Sequence, residues 1–288
     1  MLTLRPNSAI FALLAAFSVI ATGCAPALSS MQPAHVAPKG HVQAELGMDV
    51  SVPTGPISDL VEVATVLVDA SGDRELTQAE VDQIYDAAGG LFLNPPSVTP
   101  HIGVGYTAVD NLEISLRFAT SSIRLGGRYQ FLNKERHGVD ATAGLGLGYY
   151  VLPLPLGDTL QIIELEDFSR WQIDVPIAFG THGSWYRLWG GPRFMYTHFG
   201  TSLRLAIPEV VADDIVGRTE IASFGGNAFY VGGQGGVAVG YKHVFFGFEL
   251  TLVQLISNGT LKVLDKNVRE LDHGSFIVYP ALGFMGEF

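Results

Sequence analysis

From His41 to Phe288 the chain repeatedly alternates apolar and polar residues with a period of two, which predicts strands with one apolar face each. The first run, about 41–52, sets Val42, Ala44, Leu46, Met48, Val50 and Val52 against Gln43, Glu45, Gly47, Asp49 and Ser51. Nine more follow, near 98–107, 112–118, 123–131, 139–151, 171–180, 186–197, 229–242, 244–252 and 276–288. The third is typical, with Leu112, Ile114, Leu116 and Phe118 on one side and Glu113, Ser115 and Arg117 on the other. A soluble sandwich would crowd its water-facing positions with Lys, Glu and Thr. Here the second face is rich in Gly and carries sparse charge of both signs. The pattern predicts an all-β chain, an antiparallel transmembrane β-barrel of about ten strands, with apolar faces toward lipid and the others toward a lumen.

The connectors give a second, independent signal. Residues 53–97, 152–168, 198–224 and 257–273 are long, whereas 108–111, 133–138, 182–184 and 242–243 are short. The tight 119–122 connector is the one exception. Starting the first strand on the periplasmic side puts the long connectors outside and returns the last strand to the periplasm, as an even strand count requires.

Composition agrees. Apolar residues make up 48% and charged residues only 16% of the 288 positions. The formal charge of −11 lacks the basic footprint that phosphate backbones require, so nucleic acid is excluded as a partner.

Both ends of the chain carry resemblances. Arg5, the apolar stretch Ala9–Ile20 and the sequence Ala21-Thr22-Gly23-Cys24 resemble a bacterial lipoprotein signal peptide over 1–23, with a lipobox in which Ala21 departs from the usual Leu. That resemblance implies a lipid on Cys24, the single Cys of the chain, and sorting to the outer membrane. Ordinary signal cleavage with an incidental Cys24 is the alternative. Residues 24–39, with Pro26, Pro33 and Pro38, are expected to be a flexible tether between Cys24 in the periplasmic leaflet and the barrel at 40–288. The last run, with Val278, Leu282, Phe284 and terminal Phe288 at alternate positions, resembles the closing strand of outer-membrane barrels. It implies outer-membrane lipid and the barrel-assembly machinery as partners.

Eleven charged residues fall on the proposed lumen face: Glu45, Asp49, Glu113, Asp140, Asp174 and Glu249 with Arg117, Arg124, Arg128, Arg187 and Arg193. Buried charge persists only when paired, so an Arg–carboxylate network is expected to fill the lumen. A narrow pore lined by these charges is the alternative.

The first long connector, 53–97, is predicted to hold a helical hairpin, Ile57–Val68 and Thr77–Leu93. Between the helices, Asp69, Ser71, Asp73, Glu75, Thr77 and Glu80 have the 1-3-5-7-9-12 spacing of an EF-hand loop, which the segment 69–80 resembles. The resemblance implies Ca2+ held by these six residues. Arg74 stands where that family has Gly, and Thr77 with Glu80 also makes a capping box that needs no metal.

Four function classes stay open: a non-enzymatic barrel displaying surface loops, a small-solute pore, a rim hydrolase and a secreted soluble β-protein. The hydrolase rests on a resemblance to ten-stranded omptin proteases, through Asp272-His273 and His198 near the external rim. The chain carries no nucleophile elbow, phosphate loop or Cys/His metal cluster, and the ligand is not legible.

Overall fold

The structure, a computed structural model, describes residues 26–70, 77–120, 122–150, 163–205, 209–211, 214–216, 220–263 and 266–288. Residues 1–23, expected to be a signal peptide, and Cys24 lie outside the described residues.

Ten strands close into one antiparallel barrel. They are β1 (Val42–Pro53), β2 (Ser97–Val109), β3 (Leu112–Ala119), β4 (Ser122–Leu132), β5 (Asp140–Tyr150), β6 (Ile163–His182), β7 (Tyr186–Leu205), β10 (Glu220–Tyr241), β11 (Val244–Val263) and β12 (Lys266–Glu287). A short hairpin, β8 (Glu209–Val211) with β9 (Asp214–Val216), stands between β7 and β10. β1 closes on β12, with Gln43 opposite Glu287 and Leu46 opposite Phe284. Val42 and Phe288 exchange two backbone hydrogen bonds of 2.8 and 2.9 Å at that seam. The rim where β1 begins and β12 ends is here the terminal rim, and the opposite one the loop rim.

Every run identified by alternation is a strand, and each presents the expected face outward. Leu46, Ile102, Ile114, Leu125, Leu147 and Phe284 are exposed, while their neighbours Asp49, His101, Glu113, Arg124 and Tyr279 are buried. The outer aromatics fall in two rings. Tyr106, Tyr129, Phe131, Phe179, Trp185 and Tyr241 lie toward the terminal rim, and Phe118, Tyr149, Trp171, Tyr196, Phe229 and Phe276 toward the loop rim. On β6 the two rings are marked by Trp171 and Phe179. At ~3.3 Å per residue and a tilt of ~40°, they stand roughly 20 Å apart, close to the ~25 Å apolar band of membrane barrels.

Two expectations change. The long connectors 198–224 and 257–273 are largely strand: β7 runs on to Leu205, β11 to Val263, and β12 starts at Lys266. The wall formed by β6, β7, β10, β11 and β12 therefore rises well past the loop-rim aromatics, while β3 and β4 turn just beyond Phe118. The tight 119–122 connector marks this low side.

The second change concerns residues 26–39. They are not a solvated tether. Ala27, Leu28, Ser29, Ser30, Met31, Ala34, His35 and Ala37 are all at most 5% exposed. The segment runs down the lumen from the loop rim toward the terminal rim. Leu28 packs with Tyr230, Leu255 and Ile277. Ser29 then meets Asp49, Ser30 meets Glu249, and Val36 N–H donates to Gln130. Pro38 to His41 emerge exposed at the terminal rim. The reason is compositional: 25–38 holds no Lys, Arg, Asp or Glu, so it lacks the charge that keeps a linker in water.

The helical hairpin is present as α1 (Thr54–Ala70) and α2 (Gln78–Leu93). α1 starts against β12, where Thr54 Oγ1 donates to Phe276 O at 2.8 Å. The end of α2 caps the lumen. Leu93 and Asn94 are buried there, and Arg170 Nη2 donates to Leu93 O at 2.6 Å. A third helix, α3 (Lys134–His137), is a single turn between β4 and β5.

Candidate functional site: a charged lumen around a threaded segment

The register explains how charges share the lumen with a chain segment. Glu45 on β1, Gly103 on β2 and Arg117 on β3 lie in one row across three strands. Arg117 reaches across the glycine to Glu45 at 3.2 Å and to Asp49 at 3.0 Å. A Cβ at Gly103 would collide with the Glu45 carboxylate. The same device recurs on β5, where a Cβ at Gly146 would overlap both Asp174 and Arg124. There Arg124 grips Asp174 through Nε at 2.7 Å and Nη2 at 2.6 Å. The inward glycines are slots that let long ion-paired side chains lie flat against the wall, leaving the axis for another occupant.

Of the eleven residues singled out above, most pair within the wall. Arg128 holds Glu113 by a fork at 2.9 and 2.8 Å. Arg193 approaches Asp174 at 3.3 Å. Two of the acids bond outside the expected Arg network: Asp140 meets His182 at 2.6 Å, and Glu249 accepts from Trp189 Nε1 at 2.8 Å and from Ser30 N–H at 2.7 Å. Arg187 pairs with Glu287 at 3.2 Å, and His35 of the threaded segment meets the same carboxylate at 3.1 Å. Sequence reasoning left Glu287 and Arg170 out of the network. Glu287 had its parity as a signal, whereas Arg170 lies in the upper part of β6, one residue before the alternating run that begins at Trp171.

The threaded segment is held through its backbone and its side chains alike. Arg117 donates to Ser29 O and Arg128 to Pro33 O. Ser29 Oγ donates to Asp49 at 2.7 Å, and Val36 N–H to Gln130 Oε1 at 2.7 Å. A recess of about 50 Å³ remains beside it, lined by Met31, His35, Glu45, Arg117 and Glu287 among others.

No protein-family model matches the chain, and no curated protein does. Solved structures give faint likenesses. The outer membrane protease OmpT from Escherichia coli is 9% identical, with a TM-score of 0.38 over 90% of this chain and 100% of that one. The attachment invasion locus protein Ail of Yersinia pestis is 10% identical, with a TM-score of 0.27 over 87% and 99%. The N-terminal β-barrel domain of Pseudomonas aeruginosa OprF is 11% identical, with a TM-score of 0.22 over 87% and 99%. At such values the likenesses carry no argument. The chain is a closed ten-stranded barrel on its own strand pairing.

The remaining candidates fare differently. His198 is exposed on the outer face, packed on Trp171 with ring centroids 5.7 Å apart and bonded to Asn227 at 2.9 Å. It does not face the lumen. Asp272 and His273 lie on β12 opposite Asn258 and Ser257. Asp69 is the penultimate residue of α1, while Ser71, Asp73 and Glu75 of the calcium-type loop lie outside the described residues. Thr77 and Glu80 form the capping box: Thr77 N–H donates to Glu80 Oε2 at 2.7 Å, and the Thr77 side chain accepts from Glu80 N–H. Glu80→Ala is therefore expected to destabilise this hairpin by about 1 kcal/mol. Melting curves with calcium and with a chelator check its role: an equal loss in both marks a cap alone, and a larger loss in calcium marks a bound ion.

Proposed function

We propose that this protein is a bacterial outer-membrane barrel, sealed by its own N-terminal segment, that presents the helical hairpin and the tall β6–β12 wall outside the cell. The observation that carries this reading is the apolar outer band bounded by two aromatic rings, on a sheet with no free edge. Such a surface is stable in hydrocarbon and would aggregate in water. A sealed lumen supports display over transport, because the axis is occupied by 26–37 and capped by Leu93.

The reading includes a diacylglyceryl group on Cys24, whose mass on the mature N-terminal peptide tests it. The barrel itself is tested in planar bilayers. Purified full-length protein with heat-modifiable gel mobility is expected to add no conductance above the lipid background. Steady conductance of that protein would overturn the sealed reading, and extraction from cells without detergent would overturn the membrane reading.

A further inference from the structure

The wall and its occupant are bonded differently. Wall strands pair through continuous ladders, and the Arg124–Asp174 and Arg128–Glu113 forks join wall to wall. The threaded residues 26–38 belong to no strand. They touch the wall through a few hydrogen bonds and through small or apolar side chains. Removing them leaves Arg117 still paired with Glu45 and Asp49, and Arg128 still paired with Glu113. The ion pairs of the wall therefore do not need the segment in order to persist.

We propose that the lumen is a binding channel for an extended, uncharged peptide, that residues 26–38 are its resident ligand, and that withdrawing them converts the sealed barrel into a passage for small solutes. The proposal rests on the sealed-barrel reading above. Three features carry it.

First, part of the recognition is of peptide backbone. Arg117, Arg128, Glu249 and Gln130 each meet a main-chain carbonyl or N–H of the segment. Those contacts select an extended chain, and side chains set its register: Ser29 Oγ donates to Asp49, Ser30 Oγ reaches Gln234 and Glu249, and His35 meets Glu287. Small residues at Ser29, Ser30, Ala34 and Ala37 fit the space left by the flattened wall, and a charged side chain would meet carboxylates and guanidiniums already paired.

Second, the segment ends on a hinge. Pro38, Lys39, Gly40 and His41 are exposed at the terminal rim. Gly40 has φ of +86°, with nothing within 4 Å of where a Cβ would stand. The turn is closed by a 3.0 Å bond from His41 N–H to Pro38 O.

Third, the small recess beside Met31 and His35, about 50 Å³, marks where the segment packs least closely against the terminal half of the lumen. An extended chain occupies roughly 5 by 10 Å in cross-section, from the spacing of strands and of packed sheets. Its departure would leave a bore wide enough for water and small solutes.

The test uses the full chain with a protease site placed in the exposed hinge at Lys39-Gly40. The protein is folded, cut, and washed in urea below the barrel's own unfolding midpoint, and release of the fragment is followed by mass. The uncut barrel is expected to be silent in a planar bilayer, and the cut, washed barrel to conduct. A synthetic peptide of residues 26–38 is expected to restore silence, and a scrambled peptide to leave the current unchanged. In the uncut chain, Ser30→Asp sets a carboxylate against Glu249, which now accepts from Ser30 N–H at 2.7 Å, and is expected to produce flickering openings. A fragment that resists the wash overturns the proposal, as does a released, heat-modifiable barrel that stays silent. Conductance of the uncut wild type would instead sink the sealed-barrel reading.

Discussion

Replacing Asp174 by Ala is expected to cost about 3–5 kcal/mol of folding stability, the largest loss of any single charge removal in the lumen. Its side chain is fully buried, accepts both arms of Arg124 at 2.7 and 2.6 Å, and has Arg193 at 3.3 Å. Removing it deprives two buried guanidiniums of the carboxylate they both contact. Asp174→Asn is expected to recover part of the loss, because the amide oxygen still accepts one N–H but carries no charge. Gly146→Ala attacks the pair from the other side, since the added methyl overlaps both partners, and is expected to destabilise in the same direction. Exposed Glu62→Ala on α1 is the control and should stay within about 0.5 kcal/mol. Denaturant unfolding in detergent, followed by gel mobility and tryptophan fluorescence, checks all four. An Asp174→Ala barrel as stable as wild type would mean that water enters the lumen and solvates the two arginines.

The contrast between what was legible and what was not has a physical origin. On the proposed lipid-facing side each outward residue must be apolar, so Leu46, Ile102, Leu125 and Phe284 announce their strands by parity alone. Inward charges were legible for the same reason: a Glu113 or an Arg124 in the alternate register has only the lumen to face. Their partners were not, because pairing depends on which strands neighbour each other and where glycine opens a slot, as Gly103 does between Glu45 and Arg117. Above the loop-rim aromatics the constraint lapses. Residues such as Asn258, Gly259 and Lys262 on β11 stand beyond the apolar band, so the strand continues without its signature and resembles a loop. The threaded segment has no period at all. Its one sign was an absence of charge from 25 to 38, which suits burial better than solvation.

The direction of that segment makes an all-or-none prediction about the start of the chain. Leu28 packs beside Leu93 of α2, Phe199 and Leu255, toward the loop rim, and the chain then descends to His41 at the terminal rim. Cys24 stands two residues ahead of Pro26, and two residues reach at most ~7 Å. A lipid on Cys24 is therefore expected to join the leaflet at the loop rim, opposite to the one a tether from the terminal rim would use. An epitope inserted between Ala25 and Pro26 is expected to bind antibody on intact cells, as an epitope inserted in residues 71–76 should. One inserted between Lys242 and His243, in the β10–β11 turn at the terminal rim, should bind only after the outer membrane is permeabilised. If the Ala25–Pro26 epitope behaves like the Lys242–His243 one, the segment enters from the periplasm and its path through the lumen runs the other way. If it behaves like the 71–76 one, the barrel carries its own N-terminus out through its lumen. Closing the pore and exposing the N-terminus would then be one structural act, because the same thirteen residues, 26–38, do both.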